Sequence, residues 1–151
     1  MHHPVRRSRL VVAGVAVLLA ASVGSSNLAA AKTRVLTYMV KQDWSDCSNA
    51  NVDPNTAPAQ AGGEAMVTLR ATGKTEVNVR LVRVAPNTKY HLFLKCHYLL
   101  GDIQTGATGH GNNTFFFTTS DAGPVFAFDM YPDGAPLGNK YQSIQVNFNA
   151  P

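Results

Sequence analysis

Short runs in which apolar and polar residues alternate recur along this chain between turn-forming residues, and they constrain its fold more than any other feature. A period of two places apolar side chains on one face of an extended strand. Two less regular runs, Leu99–Thr105 and Thr114–Thr119, bring the number of predicted strands to about seven or eight. The pattern is typical of an all-β antiparallel sandwich or barrel. The regular runs are Leu36–Val40, Ala65–Leu69, Val77–Leu81, Tyr90–Cys96, Phe126–Met130 and Ile144–Phe148.

The first 31 residues have the order of a secretory signal peptide. A basic stretch around Arg6 and Arg7 precedes the apolar run Leu10–Ala21, and small residues follow as far as Ala31. This order predicts cleavage and export, outside the cell or into the periplasm and envelope. The apolar run is shorter than the roughly 20 residues that span a bilayer, so we expect no membrane span after cleavage. Retention of this segment as an anchor is the alternative.

Residues 32–151 then form the predicted secreted domain, and their charge is nearly balanced. Three of the 13 lysines and arginines lie in the signal, which leaves 13 − 3 = 10 against 9 acidic residues. A net charge near +1 gives no electrostatic reason to expect nucleic acid or an anionic membrane as partner. A chain of this length can bury the core of one domain.

The chain contains only two cysteines, Cys47 and Cys96. In an oxidising compartment such a pair predicts a disulfide, with two free thiols as the alternative. The segment from Asp43 to Gly63 is rich in Asn, Asp, Ala, Pro and Gly, which predicts a long loop. The disulfide would hold this loop near Cys96 and contribute about 4 kcal/mol by restricting the unfolded chain.

One β-hairpin can be predicted in register. The loop would be Thr72–Lys74, with Gly73 free to adopt a positive φ. Apolar side chains of both strands must share a face, so we expect Leu69 opposite Val77 and, two residues on, Val67 opposite Val79.

The segment Val84–Leu94 (VAPNTKYHLFL) resembles the corner between strands E and F of fibronectin type III and related immunoglobulin-like domains. In those domains a tyrosine hydroxyl bonds back to the main chain and secures the crossover. The resemblance implies an antiparallel β-sandwich in which Tyr90 is the structural corner residue. It also implies a binding or structural module rather than an enzyme.

The histidines do not suggest a metal site. His91 and His97 fall on one face of the same predicted strand, about 20 Å apart, which one ion cannot bridge. His110 lies in a glycine-rich turn. A copper site at Cys96 and His97 would need further ligands, and Cys96 is better used in the disulfide. We therefore expect neither metal nor cofactor.

The sequence contains no Gly-x-Ser-x-Gly nucleophile motif. Asp43 and Asp46 are a possible carboxylate pair beside Trp44, as a glycosidase would require, but we favour loop solvation and turn capping as their explanation. The remaining aspartates fall where turns are expected, and we interpret them as caps: Asp102, Asp121, Asp129 and Asp133.

Two groups of aromatic residues remain. A run buried on both faces would place Phe115–Phe117, with Phe126 and Phe128, in the core. An apolar ligand is the alternative. Tyr131, Asp133 and Tyr141 suggest a recognition loop with aromatic anchors.

We expect a secreted, non-enzymatic binding or structural module whose partner is a protein or a component of the cell envelope. The alternatives are a small exported hydrolase, using Asp43 and Asp46, and a carrier of an apolar ligand.

Overall fold

The computed structural model describes residues 33–52, 61–135 and 140–149, and the predicted signal peptide lies outside them. The described residues form ten strands and one helical turn, so the prediction of an all-β antiparallel fold is confirmed. The elements are β1 (Arg34–Val40), β2 (Ala61–Leu69), β3 (Lys74–Leu81), β4 (Lys89–Leu94), β5 (Tyr98–Gln104), β6 (Gly111–Thr118), α1 (Thr119–Ala122), β7 (Val125–Phe126), β8 (Phe128–Pro132), β9 (Tyr141–Ser143) and β10 (Val146–Asn147).

Eight strands form one sheet in the order β5-β4-β8-β9-β1-β2-β3-β6, and β7 pairs with β10 in a small second sheet. The two edge strands approach each other, since Asn113 Nδ2 donates a hydrogen bond to the main-chain oxygen of Asp102 (2.9 Å). Gly111 permits this approach, because a Cβ there would lie 2.6 Å from Gln104 O. The result is a nearly closed, barrel-like sheet rather than clearly a sandwich, and few strand edges remain open.

The inward faces of the strands enclose the main core, and a smaller hydrophobic cluster among the described residues contains Val40 and Val52. Phe117, Phe126 and Phe128 meet edge to face, with ring centroids 5.5–6.5 Å apart, an arrangement that adds to the free energy of burial. Phe115 is also buried, but Phe116 is 59% exposed. The expectation that Phe115–Phe117 is buried on both faces is therefore wrong for Phe116, because β6 has the core on one face only.

Strand β1 buries, in addition to Val40, the residues that its apolar pattern would place outside. Thr37 and Met39 are fully buried, whereas Leu36 is 45% exposed. Pairing with β2 sets Thr37 opposite Ala65, whose side chain belongs to the core, and this decides the face. Thr37 Oγ1 donates to Ile144 O (2.7 Å), so the inward hydroxyl is satisfied.

The β2–β3 hairpin has Gly73 at φ +74°, as predicted, but its register differs by two residues. Val67 lies opposite Val77, and Leu69 lies opposite Thr75. The three-residue loop is thus 71–73, because a positive φ is needed at the last position of such a loop and Gly73 supplies it. A shift of two residues leaves every side chain on its expected face.

A disulfide joins Cys47 to Cys96, as predicted, with the Cα atoms 5.6 Å apart. The predicted loop is too long at its far end, because β2 already begins at Ala61. Gly63 belongs to that strand, where a Cβ would lie 2.5 Å from Arg80 O. Residues 53–60 of the predicted loop lie outside the described part of the chain.

The connection from β3 to β4 is secured by two hydroxyl groups. Tyr90 is buried, and its hydroxyl oxygen accepts a hydrogen bond from Ala85 N (3.0 Å). Thr105, at the end of β5, accepts from Thr88 N (2.9 Å) and donates to Ala85 O (2.7 Å). Main-chain groups of residues 85–88 are thereby held against β4 and β5.

Candidate recognition cleft

A cleft of about 560 Å³ opens on the outer face of β4, β5 and β8. On β4 the residues Tyr90, Leu92 and Leu94 are buried, so the intervening residues point outward. The pairing of β4 with β8 then sets His91 beside Tyr131 and Phe93 beside Asp129. The lining residues are His91, Phe93, Leu94, Cys96, His97, Tyr98, Asp129, Tyr131, Pro132, Gly134 and Ala135.

Aromatic side chains dominate the cleft's wall. Phe93 and Tyr131 pack edge to face, with their ring centroids 5.7 Å apart. Tyr98 is 42% exposed, and its hydroxyl donates to Asp121 Oδ2 (2.5 Å). The disulfide at Cys96 borders this wall and ties it to the loop before β2.

A buried ion pair lies where the cleft meets that loop. Lys95 Nζ is 3.8 Å from Asp129 Oδ1, and both side chains are almost fully buried. Burial lowers the pKa of Lys95 and raises that of Asp129, because each loses the solvation of its charged form. Asp129 Oδ1 has no hydrogen-bond partner among the described residues beyond this ion pair.

The same lysine fastens the loop of residues 41–52 over the sheet. Its Nζ donates to Trp44 O (2.6 Å) and to Asn49 Oδ1. The side-chain amide of Gln142 also holds the main chain of Trp44. It accepts a hydrogen bond from Trp44 N (2.7 Å) and donates one to Trp44 O (2.9 Å). Asn49 Nδ2 donates to Ser143 O (2.9 Å). These bonds give the ion pair a structural role.

His91 lies between two carboxylates that come from different segments. Its Nδ1 is 2.6 Å from Asp102 Oδ1 on β5, and its Nε2 is 3.3 Å from Asp133 Oδ1, just after β8. The hydrogen bond to Asp102, followed by that to Asp133, raises the pKa of His91. The ring therefore connects the cleft's floor to the turn that bounds it.

The structure brings together two of the three predicted recognition residues. Tyr131 lines the cleft, and Asp133 contacts His91 at its edge. Tyr141 pairs with Met130 on the inward face of the sheet, and its ring packs edge to face with Tyr90 at 6.1 Å. Tyr141 therefore belongs to the barrel interior and not to the outer cleft.

The two carboxylates considered for hydrolysis have separate partners. Asp43 Oδ1 is 2.6 Å from Lys140 Nζ. Asp46 Oδ1 accepts hydrogen bonds from Ser48 N (3.0 Å) and Ala50 N (3.3 Å), the pattern of a turn cap. Burial acts to raise the pKa of Asp46, but the hydrogen bond from Ser48 Oγ (3.0 Å), together with the two from the main chain, prevails and lowers it.

The histidine geometry expected from sequence is wrong at one position. His97 lies in the turn between β4 and β5, and not on a strand face with His91, because Cys96 adopts a positive φ (62°) that ends the strand. Cys96 is in the disulfide, and His110 is exposed in the turn before β6. Across residues 33–52, 61–135 and 140–149, no group of three or more His, Cys, Asp or Glu side chains could hold a metal ion.

Two aspartates interpreted as turn caps lie inside strands instead. Asp102 is in β5 and Asp129 in β8. The sequence does carry a signal for Asp129, since it alternates with Phe128 and Met130 and must face away from the core. Nothing in the local pattern marks Lys95 as its partner, because the two residues meet only through the pairing of β4 with β8.

Fold and cleft together define a small all-β domain with one nearly closed sheet, a single disulfide and an outward-facing aromatic cleft. No protein-family model and no curated protein matches this chain. In the described part of the chain, no helix is long and apolar enough to cross a membrane.

Proposed function

We propose that this protein is a secreted, non-enzymatic binding module that recognises a protein or a component of the cell envelope through the outer cleft. The observation that supports this most is the fixed grouping of Phe93, Tyr98 and Tyr131 with His91 around one cleft. Aromatic side chains contribute much of the binding energy at protein interfaces when they line a pocket. Tyrosine also offers a hydroxyl for hydrogen bonding.

The cleft is built on strands, and this favours binding by a preformed surface. Phe93 and Tyr131 lie on adjacent strands, and the disulfide at Cys96 restrains the neighbouring turn. Less ordering entropy is lost when such a surface binds than when a flexible loop does. The disulfide also supports the proposed export, because such bonds persist in oxidising compartments.

We also propose that this domain is related to the fibronectin type III or immunoglobulin-like sandwiches. Its support is local: Tyr90 is buried, and its hydroxyl accepts a hydrogen bond from Ala85 N, as a tyrosine corner requires.

The experiment is a pull-down with the mature protein, residues 32–151, against culture fluid and envelope extract. Tyr98→Ser removes an exposed ring from the cleft. Phe116→Ser removes an exposed ring from the outer face of β6 and is the matched control. We expect a captured component that is lost with Tyr98→Ser and kept with Phe116→Ser. Equal capture by all three proteins, or by none, would refute recognition through the cleft.

One observation favours the apolar carrier as a second candidate. A groove of about 420 Å³ is lined by Leu69, Pro124 and Phe148, together with Thr119, Ser120 and Gly123. Binding of an apolar fluorescent dye tests it, with Ser120→Trp designed to fill the groove. Carriage of an apolar ligand predicts saturable binding that this variant abolishes, and unchanged or absent binding removes the candidate.

A further inference from the structure

We propose that His91 is a proton-controlled clamp: its imidazolium form pins the turn after β8 against the cleft, and its neutral form releases that turn. The consequence for ligand binding rests on the proposed function, but the clamp itself does not. Asp133, Gly134 and Ala135 form the turn, and the last two residues line the cleft. The cleft's shape would then follow the pH.

Each of the two nitrogens of the His91 ring faces a carboxylate. Nδ1 faces Asp102 and Nε2 faces Asp133, and both partners are carboxylates that only accept hydrogen bonds when ionised. Both nitrogens donate only in the imidazolium form. Loss of the proton leaves one nitrogen with a lone pair directed at a carboxylate, which breaks one of the two contacts.

The contact to Asp133 is the one expected to break. Asp102 lies directly opposite His91 in the β4–β5 ladder, and its distance is the shorter, 2.6 Å against 3.3 Å. Asp133 is the more exposed carboxylate, with 65% of its side chain accessible against 45% for Asp102. A neutral ring therefore retains its proton on Nδ1 and turns an acceptor toward Asp133.

The release is limited in extent by the main chain. Asp133 N donates to Lys89 O (2.8 Å), which keeps the start of the turn on the sheet. Beyond it, Ala135 N donates to Pro132 O (3.1 Å), and Gly134 has a positive φ of 67°. Within the described residues, movement would begin beyond this main-chain bond, at the Asp133 side chain, Gly134 and Ala135, and the last two line the cleft.

Among the titratable groups around His91, Asp102 and Asp133 are the ones that control its protonation. From β8, Tyr131 faces His91, and burial raises the pKa of Tyr131, so its hydroxyl stays neutral near neutral pH. Behind Tyr131, Lys140 is paired with Asp43.

Three further groups share the cleft or the strand. Asp129 is paired with Lys95 at the cleft's inner end, and His97 also lines the cleft. On β4 itself, Lys89 lies two residues before His91, and its main chain holds Asp133. The two aspartates raise the pKa of His91, which agrees with their dominance and shifts the release to a higher pH than that of an ordinary histidine.

The clamp can be tested without any ligand. The His91 ring of the mature protein is titrated by NMR, and hydrogen exchange of the Ala135 amide, which donates to Pro132 O, is followed over the same pH range after correction for intrinsic rates. We expect this amide to lose protection as the His91 ring loses its proton. Asp133→Asn should lower the titration midpoint of His91 by about one unit or less, because that carboxylate is exposed.

His110→Gln is the matched control, since it changes an exposed histidine of the β5–β6 turn that does not line the cleft, and it should leave both measurements unchanged. His91→Gln is a second variant, and it should abolish the pH dependence of exchange at the Ala135 amide. The proposal fails if Asp133→Asn leaves the midpoint unaltered, or if protection does not follow the titration of His91. In that event a Tyr98-dependent pull-down would still support the proposed function, so the two failures are distinguishable.

Discussion

Replacing Lys95 by methionine should destabilise this protein more than any exposed charge substitution. Methionine keeps most of the volume of the side chain but removes the ammonium group. Asp129 then loses the cation 3.8 Å away and keeps a buried charge, while Asn49 Oδ1 loses a donor. Trp44 O is less affected, because Gln142 Nε2 still donates to it at 2.9 Å.

The expected loss in the free energy of unfolding follows from the polar groups that the substitution leaves unpaired. Removing one partner of a buried ion pair typically costs about 3–5 kcal/mol. Asp129 lines the cleft, where water can approach, so its share falls at the lower end of that range. The orphaned Asn49 oxygen, in a fully buried side chain, adds about 1 kcal/mol. We expect a loss of about 4 kcal/mol in the free energy of unfolding at pH 7, or roughly 10–20 °C in Tm.

The assay is urea unfolding of the mature protein followed by the fluorescence of Trp44, the only tryptophan in the chain. Lys74→Met is the matched control, because Lys74 is an exposed lysine on β3, and it should change stability by less than about 0.5 kcal/mol. Adding Asp129→Leu to Lys95→Met should restore at least half of the loss, since no charge then stays buried.

The sign of the pH dependence provides a further check. Burial raises the folded-state pKa of Asp129, and loss of Lys95 removes the charge that opposes this rise. Ionised Asp129 therefore destabilises the variant, and its protonation relieves the penalty as pH falls through the folded pKa. The difference between Lys95→Met and wild type should shrink in acid. A loss below 1 kcal/mol at pH 7, or a difference that grows in acid, would refute the reasoning.

The remaining predictions concern the β3–β4 corner and the disulfide. Tyr90→Phe should cost about 1 kcal/mol in urea unfolding, because Ala85 N loses its acceptor but lies at an exposed residue; unchanged stability would argue against a corner. Thr105→Val keeps the shape but removes the hydrogen bonds that a buried hydroxyl makes with Thr88 N, Ala85 O and Thr88 O, and should cost about 2 kcal/mol in the same assay; a neutral result would contradict that role. Thiol titration of the unfolded, unreduced protein should find no free thiol at Cys47 or Cys96, and reduction should cost about 4 kcal/mol for a separation of 49 residues. Two titratable thiols would contradict the bond.

Features that depend on neighbouring residues could be predicted from the sequence. Alternation of polar and apolar residues is local, so it predicted strands in β3 and β4 correctly. The positive φ of Gly73 follows from its own lack of a side chain, and the disulfide follows from there being two cysteines only. The assignment of Tyr90 as a corner residue also used only a short segment, through its resemblance to known domains, and it stays a prediction.

Features that depend on strand pairing were decided by the tertiary structure. The inward face of β1 is set by its ladder to β2, so Thr37 is buried although Leu36 is the more apolar residue. The near closure of the sheet depends on the approach of β5 to β6, which Gly111 permits but no alternation pattern encodes.

The candidate cleft, too, was predictable from the sequence only in part. Tyr131 and Asp133 could be suggested from composition, but the neighbours of His91 could not, because Asp102 and Asp133 are 11 and 42 residues away along the chain. The partnership of Lys95 with Asp129 likewise exists only once β4 and β8 pair. A sequence pattern reports the preferences of single residues and short segments, whereas ion pairs and clefts arise from the register between segments that are distant in sequence.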